Sequence, residues 1–116
     1  MEVRVYQYQF QKDGKTYNRV FLPIGLVIGE SVTPSNVWHL TNWSCWMSGD
    51  NGLIECDGCI YKPSENDMGY TNHDIMFEIN GVFYTAESVG FAKFDTFNEA
   101  KEHLIQTNPI RIERYI

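Results

Sequence analysis

Alternating apolar and polar positions predict a β-hairpin at the start of the sequence. Along residues 3–10, successive side chains fall on opposite faces of an extended chain, which is the two-residue period of a strand. Asp13-Gly14 supplies the residues that a type I′ turn needs, and residues 15–22 continue the pattern as a second strand. A proline and a glycine then interrupt it, so residues 26–28 are predicted as a separate, short third strand.

The strongest local signal is Asn80-Gly81, which lies between apolar runs at residues 75–79 and 82–85. Asparagine and glycine both tolerate the positive φ angles of a type I′ turn, so this segment is predicted as a second hairpin. The two strands must be antiparallel, because a parallel crossover needs about a dozen linking residues.

A capping box predicts a helix near the end of the sequence. Thr96 and Glu99 are spaced as the N-cap and third residue of a helix are, and apolar residues then recur at helical spacing. The helix is predicted over residues 96–107, because Asn108-Pro109 ends it. Residues 110–116 alternate again and are predicted as a last strand.

The middle of the sequence gives weaker signals. Residues 29–36 are rich in turn formers, and residues 63–72 form a polar stretch. Between them, the spacing of the three tryptophans matches neither the helical nor the strand period. Only short strands, at 53–54 and 60–61, are predicted in this loop-rich middle.

These elements predict the fold class. We expect one α+β domain over residues 1–116, with a mainly antiparallel sheet of about five to six strands and one C-terminal helix packed on it. The composition, 43% hydrophobic and 15% aromatic, is sufficient for a single core and argues against disorder.

Negative charge is concentrated in the middle of the sequence. The net charge is −6, and residues 46–80 carry seven acidic residues against Lys62 alone. A surface of one sign attracts basic partners and repels phosphate backbones. The sequence therefore predicts a basic protein surface as the partner, for example that of a nucleic-acid-binding protein, and excludes direct nucleic-acid binding through this region.

The candidate partner-binding residues are six of these carboxylates and two aromatic side chains, since tryptophan is common at binding hot spots. They are Asp50, Glu55, Asp57, Glu65, Asp67, Asp74, Trp43 and Trp46. The function predicted first is thus a non-enzymatic protein-binding domain that needs no cofactor. Its size, acidity and aromatic content are similar in style to small host-takeover and counter-defence proteins of bacterial viruses, which implies an inhibitor of a nucleic-acid-handling host protein.

A structural zinc module is the alternative. Cys56-Asp57-Gly58-Cys59 is a C-x-x-C knuckle, and Cys45 with His73 completes a Cys₃His ligand set for one zinc ion. Residues 54–59 resemble the first knuckle of ZZ-type zinc fingers, which implies metal ligation by Cys56 and Cys59. That family carries further cysteine pairs, which do not follow here.

A third interpretation is a small enzyme that uses a Cys–His pair, since the sequence has three cysteines and three histidines. No phosphate-binding loop or nucleophile-elbow motif occurs, so a binding protein is favoured over an enzyme. The odd cysteine count and the absence of a leader-like start predict the cytoplasm of a bacterial or virus-infected cell, without membrane association.

Overall fold

An antiparallel sheet is the framework of this computed structural model, which describes residues 1–13, 16–42, 54–67, 71 and 73–107. For residues 12, 13, 16, 17, 54 and 56 the description is of the backbone alone. The strands are β1 (Glu2–Asp13), β2 (Thr16–Ile28), β3 (Ile54–Cys56), β4 (Cys59–Pro63), β5 (Ile75–Ile79), β6 (Val82–Ala86) and β7 (Phe91–Phe94). The helices are α1 (Pro34–Asn42) and α2 (Phe97–Thr107).

The described sheet has the strand order β3-β4-β2-β1-β5-β6-β7, and every neighbouring pair is antiparallel. The predicted α+β class, the antiparallel sheet and the C-terminal helix are confirmed. Within the described residues the sheet has seven strands, where about five to six were expected, and α1 is a second helix that was not predicted from the sequence. The predicted strand at 110–116 lies outside the described residues, and the predicted turn at Asp13-Gly14 is described only at the backbone of Asp13.

The two helices pack on opposite faces of the sheet. The larger core cluster lies on the α1 side and contains Val5, Val27, Tyr61 and Phe77, all fully buried. The smaller cluster, on the α2 side, joins Met76, Ala100 and Leu104 to partly buried aromatic rings. This division follows from the strand period, because residues next to each other in a strand face opposite sides.

A β-bulge explains the interrupted pattern in β2. Val5 pairs with Gly25 and Tyr6 pairs with Pro23, so Ile24 is the extra residue between them. Ile24 is fully buried, and its carbonyl accepts hydrogen bonds from the Tyr61 hydroxyl at 3.0 Å and from the Ser64 N–H at 2.8 Å. Residues 26–28 are therefore not a separate strand, because the bulge accommodates the proline and lets one long strand continue.

Both helices begin with a side-chain cap. The Thr96 hydroxyl accepts a hydrogen bond from the Glu99 N–H at 3.2 Å, which confirms the predicted capping box. Thr33 caps α1 in the same way, since its hydroxyl oxygen accepts from the Asn36 N–H at 3.2 Å. Pro34 follows Thr33 at the first helical position, where its missing N–H costs nothing.

Candidate functional site

The predicted partner-binding carboxylates lie along the β3–β4 hairpin and the loop after it. Glu55 is on β3 and Asp57 is in the hairpin turn, and both are exposed. We call these two the turn acids. Glu65 follows β4 and is also exposed, whereas Asp67 and Asp74 are half-buried; these three are the loop acids. Asp50, Trp43 and Trp46 fall outside the described residues.

The fold separates the turn acids from the loop acids. The turn acids precede β4 in the sequence, and the loop acids follow it. The five residues of β4 span about 16 Å at strand geometry. The carboxylates therefore form two groups at opposite ends of one strand rather than one cluster.

Two of the loop acids take part in the packing of the protein. The Asp74 carboxylate accepts a hydrogen bond from the Gln7 side chain at 3.2 Å. Burial raises the pKa of Tyr61, and the nearby Asp67 raises it further through its charge and a hydrogen bond. Glu65 is thus the loop acid that presents its carboxylate to solvent.

Positive charge does not neutralise the exposed acids within the described part of the chain. The salt bridge found there joins His103 to Glu87, which lie on α2 and after β6. Glu55, Asp57 and Glu65 form no such pair with a described lysine or arginine. Their charge is therefore available to a partner.

Strand pairing aligns Glu55 with a second carboxylate, that of Glu2, on the α2 side of the sheet. Glu55 pairs with Ile60, Ile60 with Ile28, and Ile28 with Glu2. Directly paired residues of an antiparallel sheet face the same side, so these four form one row with a carboxylate at each end. Both isoleucines are half-buried. The row thus joins Glu55 to the first strand through apolar side chains.

At the Glu2 end of this row lies a cavity of about 350 Å³, which we call the aromatic pocket. Three of its rings come from elements that no local motif connects: Tyr6 on β1, Phe83 on β6 and Phe97 at the start of α2. Phe97 meets Tyr6 edge-to-face at 5.6 Å and Phe83 at 6.1 Å between ring centroids. The pocket is also lined by Met76, Glu2, Arg4 and Glu78.

The aromatic pocket was not predicted from the sequence. Glu2, Arg4 and Tyr6 alternate along β1, which indicates that they share a face. Their proximity to Phe83 and Phe97 depends on the strand order and on where α2 packs, and one sequence does not show either.

The C-x-x-C segment is a β-hairpin turn. Asp57 and Gly58 have φ angles of 53° and 77°, the left-handed conformation of a type I′ turn, and Cys56 pairs with Cys59 across it. Cys59 is fully buried, and its thiol donates a hydrogen bond to the Ser31 carbonyl at 3.5 Å. Burial raises the pKa of Cys59, and the charge of Asp57 adds to the effect. In this setting the thiol is protonated.

The other predicted zinc ligands are not seen to converge on Cys59. His73 is exposed, and its ring stacks against Trp38 of α1 at 6.1 Å. Cys45 is outside the described residues, and Cys56 is described by its backbone alone. Across the ranges that the structure covers, no three His, Cys, Asp or Glu residues are grouped to hold a metal ion. The Cys₃His zinc site stays a prediction, as does the Cys–His enzyme.

We expect Cys59 to be unreactive towards Ellman's reagent in the folded protein. A Cys45→Ser/Cys56→Ser variant leaves Cys59 as the single thiol. At pH 8 its labelling should be at least about a hundredfold slower than that of a free cysteine, because the thiol is buried and its pKa is raised. Adding urea should restore the normal rate, and fast labelling without urea would contradict the buried geometry.

Comparisons with known proteins identify no relative. No protein-family model, no curated protein and no solved structure matches the chain. Neither of the two helices described above is long and apolar enough to cross a membrane.

Proposed function

We propose that this chain is a non-enzymatic protein-binding domain whose acidic middle docks on a basic surface of its partner. The observation that carries the proposal is the exposure of Glu55, Asp57 and Glu65 along one hairpin and its following loop, without a described lysine or arginine paired to them. Exposed carboxylates without a paired cation stay hydrated until a cationic surface replaces the water around them. They then contribute mainly to the rate and specificity of association.

The partner class follows from the same charge. A protein surface that holds a nucleic-acid backbone is rich in lysine and arginine, because it must neutralise phosphates. An acidic domain that covers such a surface competes with the nucleic acid for it. We propose an inhibitor of a nucleic-acid-handling protein, acting in the cytoplasm of a bacterial or virus-infected cell.

The proposed interface predicts salt-sensitive association. A partner captured from host lysate and purified should bind the wild-type chain with an association rate that falls about tenfold or more between 50 and 300 mM salt. Glu55→Gln/Glu65→Gln should slow association at low salt about three- to tenfold. Stopped-flow or surface plasmon resonance measures both effects.

The matched control removes the same amount of charge elsewhere. Asp95→Asn/Glu102→Gln neutralises two exposed carboxylates, one before α2 and one on it. It should leave the association rate near the wild-type value. An affinity that does not change with salt, or an equal effect of the two double variants, would show that the acidic middle is not the interface.

A further inference from the structure

The aromatic pocket has the composition of a site for a cationic side chain. We propose that it receives an arginine side chain of the basic partner, an inference that rests on the proposed function. The pocket volume of about 350 Å³ lies within the range of small-ligand sites and accommodates one guanidinium group with its stem.

The pocket walls favour a planar cation. Tyr6, Phe83 and Phe97 are each half-buried, so part of each ring remains accessible. The face of an aromatic ring attracts a cation, and guanidinium is weakly hydrated and stacks on rings better than ammonium does. Met76 is fully buried beneath them and contributes a polarisable sulfur.

The charged residues of the pocket favour a cation over an anion. Glu2 and Glu78 are exposed carboxylates in the lining, and Arg4 is the one positive group among the described lining residues. This described lining therefore has a net charge of −1. An arginine gains a carboxylate partner, with two parallel hydrogen bonds available to its planar head, whereas an anion meets two carboxylates for one guanidinium.

The position of the pocket suits the same partner surface. The row that runs from Glu55 through Ile60 and Ile28 to Glu2 crosses three strand-to-strand spacings, or about 14 Å. A basic segment about five residues long in extended form covers that distance. One segment can thus contact Glu55 and place an arginine in the pocket.

The test uses the full chain and an acetylated, amidated peptide of four Gly-Arg repeats. Methyl-labelled methionine gives an NMR signal for Met76 beneath the pocket, assigned by its loss in Met76→Leu. The Met76 methyl signal should shift on titration, with a dissociation constant about tenfold lower than for the citrulline counterpart, which keeps the shape and loses the charge. The lysine counterpart should bind about threefold more weakly than the arginine peptide.

Variants with opposite expected effects distinguish binding in the pocket from a general effect of net charge. Glu78→Gln should weaken arginine-peptide binding about fivefold, and Arg4→Gln should strengthen it about twofold, because it removes a like charge. Glu102→Gln on α2 makes the same change in net charge as Glu78→Gln and should have little effect. All three positions are exposed, so the variants are expected to fold.

Each outcome decides the proposal. It is overturned if Met76 does not shift at saturating peptide, if Arg4→Gln weakens binding, or if Glu78→Gln and Glu102→Gln act equally. The peptide could instead bind without shifting the Met76 signal, and Glu55→Gln/Glu65→Gln could abolish that binding. This outcome would contradict the pocket proposal and still support the proposed function. A Met76 shift that Glu55→Gln/Glu65→Gln does not alter would support the pocket alone.

Discussion

Gly25→Ala should lower the free energy of unfolding by about 3 kcal/mol, because the added methyl group has no space. A Cβ at this position would lie 2.5 Å from the Lys62 carbonyl oxygen and 2.5 Å from Cε1 of Tyr61. The Lys62 backbone belongs to the pairing of β2 with β4, and the Tyr61 ring is fully buried. Relief therefore requires the two strands to separate at the bulge. Urea unfolding monitored by tryptophan fluorescence measures the loss.

Gly81→Ala is the matched control. A Cβ at Gly81 meets nothing within 4 Å, but φ there is +81°, so the variant experiences backbone strain without a clash. That strain costs about 1 kcal/mol. An equal loss in the two variants would show that backbone conformation, not steric exclusion between β2 and β4, explains the glycine at position 25.

The elements that the sequence predicted well are those determined by local chemistry. Asn80-Gly81 has φ angles of 52° and 81°, the type I′ turn that its residue types favour. The Thr96 hydroxyl caps α2 through a residue only three positions away. Such signals are contained in a short window, so one sequence is enough to interpret them.

The continuity of β2 could not be predicted from a short window of sequence. Its bulge is stabilised from more than forty positions away, where the Ser64 hydroxyl and the Asn66 side chain both donate to the Pro23 carbonyl, at 3.0 and 3.2 Å. Ser64 also donates its N–H to Ile24. Without these contacts, the proline and glycine of this stretch indicate a break.

Helix α1 had a signal that the sequence analysis did not use. Thr33 precedes Pro34 at the first helical position, and Asn36 occupies the third, where capping boxes place a side chain that reaches back to the N-cap. The tryptophan spacing obscured this signal, because the buried face of α1 consists of Val37, Leu40 and Thr41. Strand β7 is only four residues long, too short for a reliable period.

The candidate site was predictable in composition and not in arrangement. The sequence located the acidic middle, and four of its described carboxylates, those of Glu55, Asp57, Glu65 and Glu78, are exposed. It could not show that Asp74 binds Gln7, since the partners are 67 positions apart. The aromatic pocket likewise combines β1, β5, β6 and α2, whose proximity arises only from the strand order.

The effect of alkaline pH on stability should depend on Tyr61. Its pKa is raised first by burial and then by Asp67, so the folded state holds the phenol proton more tightly than the unfolded state does. The stabilisation is complete below the unfolded pKa of about 10 and is lost as pH rises above it, at about 1.4 kcal/mol per pH unit.

Tyr61→Phe has no phenol to titrate and should lack this loss. At pH 7 the variant should be about 1 kcal/mol less stable than the wild type, because it loses the hydroxyl that donates to the Ile24 carbonyl and interacts with Asp67. The cost is limited, since the Ser64 N–H still donates to the same carbonyl. Plotted against pH, the free energies of unfolding of wild type and Tyr61→Phe should therefore cross at about pH 11, with the variant more stable above that pH.

Urea unfolding at pH 7, 9, 10, 11 and 11.5 tests the crossing. Cys59 also has a raised pKa, but it is present in both proteins and cancels from the difference. Tyr84→Phe is the control, since it removes the hydroxyl of a half-buried tyrosine and leaves Tyr61 in place, so it should follow the wild-type slope. Parallel curves for wild type and Tyr61→Phe up to pH 11.5 would mean that the Tyr61 phenol is not held protonated by the fold.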